Sequence, residues 1–219
     1  MTDSGSAIPA EIDLDQPQQG IQLAPSEAAA AHLIGLAVRS GSLLVEHWVR
    51  GDDVTAVYES ADARRLRTTA MWRAYPSSGV TRAWELVASA QTSLLQSDSA
   101  LAVVSEIDAT DILYGTGNAG KVLWHPAPSP EATCVLVKRA NTTGMSVLIA
   151  AHPGDAKRMN VRREGPRATV ECWLFSTVVE KGVLLRSRVL AAIGPTANAR
   201  DWASDLLDAF AASPPILTT

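Results

Sequence analysis

The sequence is short of the features that announce an activity. Charged residues make up 19% of its 219 positions, and 19 basic side chains stand among 23 acidic ones for a net charge of -4. That balance supplies no excess of Lys and Arg for a phosphate backbone and argues against general nucleic-acid binding. Cysteine occurs twice, as Cys134 and Cys172, each inside an apolar run where a free thiol behaves as a small hydrophobe. Both are expected to be reduced. The N-terminus, MTDSGSAIPAEIDLDQPQQG, has no basic start followed by an apolar core. No window approaches the roughly 20 apolar residues of a membrane span. The expectation is a cytoplasmic protein with no membrane partner, in which the sequon Asn141-Thr142-Thr143 is a turn rather than a glycosylation site.

What is present is β patterning. Hydrophobic residues reach 47%, ample for a core at this length. The most strand-like stretch, Ala168 to Pro195, is crowded with Val, Thr, Leu and aromatic residues and reads as a long hairpin hinged on Glu180, Lys181 and Gly182. Pairing Val179 with Val183 puts Trp173 opposite Val189, on a core face with Phe175 and Leu185. The other face then carries Arg186 and Arg188 in an apolar frame with Cys172 and Leu190. Two further hairpins are expected. In one, SLLVEHWVR turns at Gly51-Asp52-Asp53 into VTAVYES, with Trp48 near Ala56 and Glu46 near Tyr58; in the other, CVLVKRA turns at Asn141 to Gly144 into MSVLIAAH. At least three more strands fall within 64–75 and 82–108.

Helical signals are few. Ser26 followed by Glu27 and four alanines predicts a helix over 26–38. Near the end, Asn198 is placed to cap a helix with Trp202, Leu206, Ala209 and Phe210 on one face and Asp201 in its first turn, stopped by Ser213-Pro214-Pro215. Residues 1–24, rich in Asp, Gln, Ser and Pro, read as a flexible lead, and 25–219 as one β-rich globular domain. The expected fold class is mainly β: an antiparallel β-sandwich, or curved supersandwich-like sheets built from hairpins, with a C-terminal α-helix. Long curved hairpins with Trp, Arg and Glu spread over the strands are compatible with a sugar-mutarotase-like supersandwich. That is an analogy of architecture, carried by no matching motif.

Motifs for chemistry fail on context. Gly115-Thr116-Gly117-Asn118-Ala119-Gly120-Lys121 spells G-x-G-x-x-G, but the following Val122 to Pro126 reads as a strand, whereas a phosphate cradle needs a helix there. The four histidines, His32, His47, His125 and His152, form no metal spacing, so no metal and no cofactor is expected. Ser146 lacks the second glycine of a nucleophile elbow. His125 and His152 each precede a proline at a strand end, where loops converge; with Glu46, Glu171 or Asp155 they are the candidates for an acid–base pair.

Six tryptophans against two phenylalanines and three tyrosines is the compositional bias that points to a ligand. Trp48 lies between His47 and Arg50, and Trp72 lies beside Arg73; an indole with a polar rim stacks on sugar rings, although core filling is the commoner use. Arg186 and Arg188 offer an anion contact. Three readings result. The first is a non-catalytic binding module for a carbohydrate-like ligand or a protein partner, through Trp48, Trp72, Arg73, Arg186 and Arg188. The second is a carbohydrate isomerase or epimerase, mutarotase-like, with His125 or His152 facing Glu46 or Glu171. The third is a structural protein that forms homo-oligomers.

Overall fold

A computed structural model describes residues 10–23, 31–39, 41–77, 81–117, 122–140, 144–153 and 158–214. The protein is antiparallel β with one C-terminal helix, as the strand patterning predicts. Its longest strand, β9 (Leu101–Thr116), organises the rest. The N-terminal half of β9 is bordered by β3 (His32–Ala37) on one side and β14 (Arg167–Leu174) on the other. Its C-terminal half is bordered by β11 (Cys134–Arg139) and the short β10 (Leu123–His125). From β11 the sheet continues through β12 (Met145–Ala151), β16 (Leu185–Pro195), β7 (Arg82–Thr92), β6 (Leu66–Tyr75) and β5 (Asp53–Glu59), ending at β4 (Leu43–Arg50). Beyond β3 lie β2 (Ile21–Leu23) and β1 (Ala10–Ile12), and β13 (Arg158–Glu164) flanks β14.

The sheet curls over one large core. Inward positions alternate along each strand, as a pleated strand requires: Tyr58, Ala70 and Trp72, Leu86 and Ala88, Val189 and Ala191, Val147 and Ile149, Val135 and Val137, closed by Val103, Ile107, Val170, Cys172 and Leu174. Trp72 is fully buried, and its indole N–H donates to the Ile34 carbonyl at 2.9 Å. A second cluster lies on the opposite face, where α1 (Ala199–Ala212) lays Trp202, Ala203, Leu206 and Phe210 on Leu136, Leu148, Ala150, Leu190 and Ala192. Gly194 makes that docking possible, since a Cβ there would lie 2.7 Å from the Trp202 ring.

Several local expectations give way to tertiary pairing. Residues 32–37 form β3, not helix; 24–30 lie outside the described residues. Its apolar side chains are buried on both faces, and Gly35 passes so close to the 3-10 turn Pro17–Gln19 that a Cβ would meet the Gln18 carbonyl at 2.0 Å. Residues 10–23, expected in the lead, supply β1, that turn and β2, with Ile21 in the core. The long hairpin at Ala168 to Pro195 is overturned. Phe175 takes φ 62° and ends β14, and β15 (Val178–Glu180) pairs with β8 (Gln96–Asp98) instead. The arms part, β14 to β9 and β13, β16 to a place between β12 and β7.

The turn itself survives, with Gly182 at φ 85° and the Val183 N–H donating to the Glu180 carbonyl. Trp173 accordingly faces away from the core under the Arg158 guanidinium, opposite Ala102 and Arg158 rather than Val189. The β4–β5 hairpin forms, but its turn is two residues, Gly51-Asp52, which pairs Trp48 with Thr55 and Glu46 with Val57. The β11–β12 hairpin forms as expected, around a loop whose residues 141–143 lie outside the described ones. At the helix, Asn198 occupies the cap position without a side-chain cap bond, and Ala203 rather than Ala209 is buried.

Replacing Trp72 by alanine should lower unfolding free energy by about 3–5 kcal/mol, read by urea denaturation, because it empties the core and orphans the Ile34 carbonyl. A second expectation concerns pH. Burial pushes both Cys134 and Cys172 thiols up to about 12, whereas unfolded thiols ionise near about 8.5. Above that pH the unfolded chain releases protons that the native chain retains. Stability should hold below it and then fall by roughly 1.4 kcal/mol per thiol per pH unit. A Cys134→Ala/Cys172→Ala variant should lack this part of the slope in denaturation curves between pH 8 and pH 10.

Candidate functional site

The strand register gathers most of the ligand candidates on one sheet face, the face opposite the main core. On β4 the alternating positions Glu46, Trp48 and Arg50 share it. Pairing carries Trp48 through Thr55, Met71 and Val87 to Arg188, and Glu46 through Val57, Thr69 and Ser89 to Arg186. A third row places Arg73 opposite Glu85 and Glu85 opposite Leu190. Trp72 lies on the other face, inside the core, and cannot stack on a ligand.

The face has a closed half and an open half. Over the closed half sits the C-terminal end of α1. There Arg188, buried, donates through Nη1 to Ser213 Oγ at 3.0 Å and the Pro214 carbonyl at 3.2 Å, and through Nη2 to the Ser213 carbonyl at 3.1 Å, while its guanidinium lies over the Phe210 ring. The carboxylate of Glu85, fully buried, lies 3.6 Å from Arg188 and accepts a 2.8 Å bond from Arg73 Nε. Arg188 thus holds the helix end on the sheet, where a cation also complements the helix dipole, while Arg73 bonds the Glu85 carboxylate beside it. Of Arg186 and Arg188, expected to offer an anion contact, Arg188 is taken up in this way. Arg186 approaches Ser89 Oγ at 3.4 Å, nearer the open half.

In the open half, Trp48 is nearly half exposed, with Glu46 beside it. Arg67 Nη2 donates to Glu46 at 2.8 Å and Nη1 to Glu59 at 2.7 Å, linking β4, β5 and β6. The hydrogen bond to Glu46, then that to Glu59, holds Arg67 more firmly protonated than an isolated arginine. Arg67 and Glu59 also line a cleft of about 710 Å³ with Gln91, Arg65, Asp62 and Lys181. Burial alone would raise the Asp62 carboxyl there, but hydrogen bonds from Arg64 outweigh it and hold the group below the usual range.

Among the described residues the acid–base candidates stand on, or directly after, different strands. His125 stands on β10, its ring within 3.0 Å of Thr116 Oγ1. His152 follows β12, edge-on to Phe210 beneath the helix, with its backbone N–H donating to the Arg188 carbonyl. Glu46 is on β4, five strands from β12 along the sheet. Glu171 is on β14, bound by Arg162 and by the Trp173 indole. Asp155 lies outside the described residues. The glycine-rich loop also has a structural use, since Gly115 lies within β9 where a Cβ would meet Cys134 Sγ at 2.3 Å; 118–121 are outside the described residues.

Arg67 was not among the residues expected at a site. The available signal was alternation: Leu66, Thr68, Ala70 and Trp72 point one way on β6, which leaves Arg67 and Arg73 on the other face. Among the described residues no helix is long and apolar enough to cross a membrane.

Neither a protein-family model nor a curated protein matches the sequence. Solved structures with partial likeness include a GalM/aldose epimerase homologue from C. elegans, at TM-score 0.38 and 7% identity over 70% of this chain and 68% of that one. Heparinase III, the BT4657 gene product, aligns at TM-score 0.38 and 13% identity over 78% of this chain. This chain spans 24% of that protein's length. Likenesses of this size carry no argument about function.

Glu85→Gln should cost about 3–5 kcal/mol in urea denaturation, because it leaves the Arg188 charge buried among neutral partners. Arg73→Ala, which removes a partly exposed group, should cost less.

Proposed function

We propose that the protein is a non-catalytic binding module for a carbohydrate-like ligand, seated on the open half of the face around Trp48. The observation that carries the reading is the exposed indole beside the Glu46–Arg67–Glu59 row. An apolar platform bordered by fixed donors and acceptors suits a sugar ring, which presents C–H faces and a rim of hydroxyls. Arg67 belongs both to this row and to the adjoining cleft, so a ligand longer than one ring has a place to extend. The five-strand separation of Glu46 from the strand that leads into His152 favours binding over acid–base chemistry by that pair, for which donor and acceptor must reach one substrate. Two buried free thiols suit a reducing compartment, and we place the protein in the cytoplasm on that ground.

The test is titration with a panel of neutral and acidic oligosaccharides, followed by tryptophan emission. At least one class should shift the emission. Trp48→Ala should abolish the response, and Arg67→Met should weaken binding by about tenfold or more, the loss of one charge-assisted contact. A panel without any response, or a response that persists in Trp48→Ala, would overturn the proposal.

A further inference from the structure

Among the described residues the sheet has two long edges on which no further strand pairs, β13 and β4, and their side chains differ. β13 borders only β14, and along it Arg158, Arg162, Arg163 and Glu164 are exposed. Charge of this density on an edge discourages another strand from pairing. β4 borders only β5, yet Leu43 is 65%, Val45 41%, Trp48 47% and Val49 66% exposed. Eight residues of apolar edge present about 27 Å of unpaired backbone donors and acceptors. Such an edge calls for a covering strand.

We propose that the covering strand is β4 of a second copy of this chain, antiparallel about a two-fold axis at Trp48. Charge selects both the partner and the register. In a continuous two-fold sheet, residues opposite one another share a face, so the axis must fall on a residue. An axis at Glu46 sets two carboxylates against each other. At His47, Glu46 meets Trp48 and Arg50 meets Leu44, leaving both charges unmatched. At Val49, Glu46 meets Asp52. Only at Trp48 does Glu46 of each copy meet Arg50 of the other, with Trp48 against Trp48 and His47 against Val49. Arg50 has no ion-pair partner among the described residues, and Glu46 bonds Arg67 through one carboxylate oxygen only. The bulge between Leu44 and Glu46 falls just outside the paired segment Glu46–Arg50. The two sheets become one, with both indoles adjacent on the same face.

The pairing does not depend on the proposed ligand, since mass reports assembly and emission reports the ligand. Sedimentation across micromolar concentrations should show a dimer for the unaltered chain. Arg50→Glu and Glu46→Arg should each weaken it by about tenfold or more, because each places like charges opposite one another twice. A one-to-one mixture of the two variants should dimerise again, since every like-charge pair then becomes an opposite-charge pair. Circular dichroism verifies that both variants remain folded. A chain that stays monomeric, a dimer that survives either substitution, or a mixture that stays monomeric overturns the proposal.

Discussion

The structure depends on the backbone hydrogen bonding of β9. Both edges of this strand are taken, but by different partners along its length: β3 and β14 near its start, β11 and β10 near its end. One strand therefore belongs to two parts of the sheet at once, and the register irregularity at Lys138 and Arg139 marks where the partners change. With both edges satisfied there, the remaining strands fold over a common interior. Val103, Ile107, Ile112 and Tyr114 all reach it. Burial at this scale supplies the main favourable term in folding.

Enclosing the core on one side leaves the other side of the long sheet to be managed. α1 covers part of it with Trp202, Leu206 and Phe210, and buried Arg188, beside the buried Glu85 carboxylate, ties down the end of that helix. Placing these charges on neighbouring strands within a covered region gives each a partner, which a buried ion requires. The helix ends before β5 and β4, so the same face emerges there with Trp48 and the Glu46–Arg67–Glu59 row. A roofed structural half thus leads into an open half with an exposed aromatic.

Alternation was the most legible feature. On β16, Val189 and Ala191 go to the core while Arg186 and Arg188 go to the opposite face, as a two-residue period implies whatever strand lies alongside. The neighbours were not legible. Ala168 to Pro195 has the composition of a hairpin, but Phe175 turns the chain and each arm finds more buried surface elsewhere. The β4–β5 register slipped by one residue because a two-residue turn at Gly51-Asp52 replaces a three-residue one. Over 32–37 the expected helix lost to a strand that buries Leu33, Ile34 and Leu36 in the core.

The sequence by itself determined that the chain is antiparallel β with a C-terminal helix, that its cysteines sit in apolar strands, and, where no bulge intervenes, which side chains of a strand share a face. These follow from local periodicity and turn chemistry, which act over a few residues. Only the tertiary structure decided that Trp72 fills the core, that Arg188 serves the helix end, and that Trp48, Glu46 and Arg67 meet at an open edge. Those outcomes depend on which strands lie side by side. That choice is made by long-range burial and by backbone pairing between segments far apart in the chain, and no local pattern encodes it.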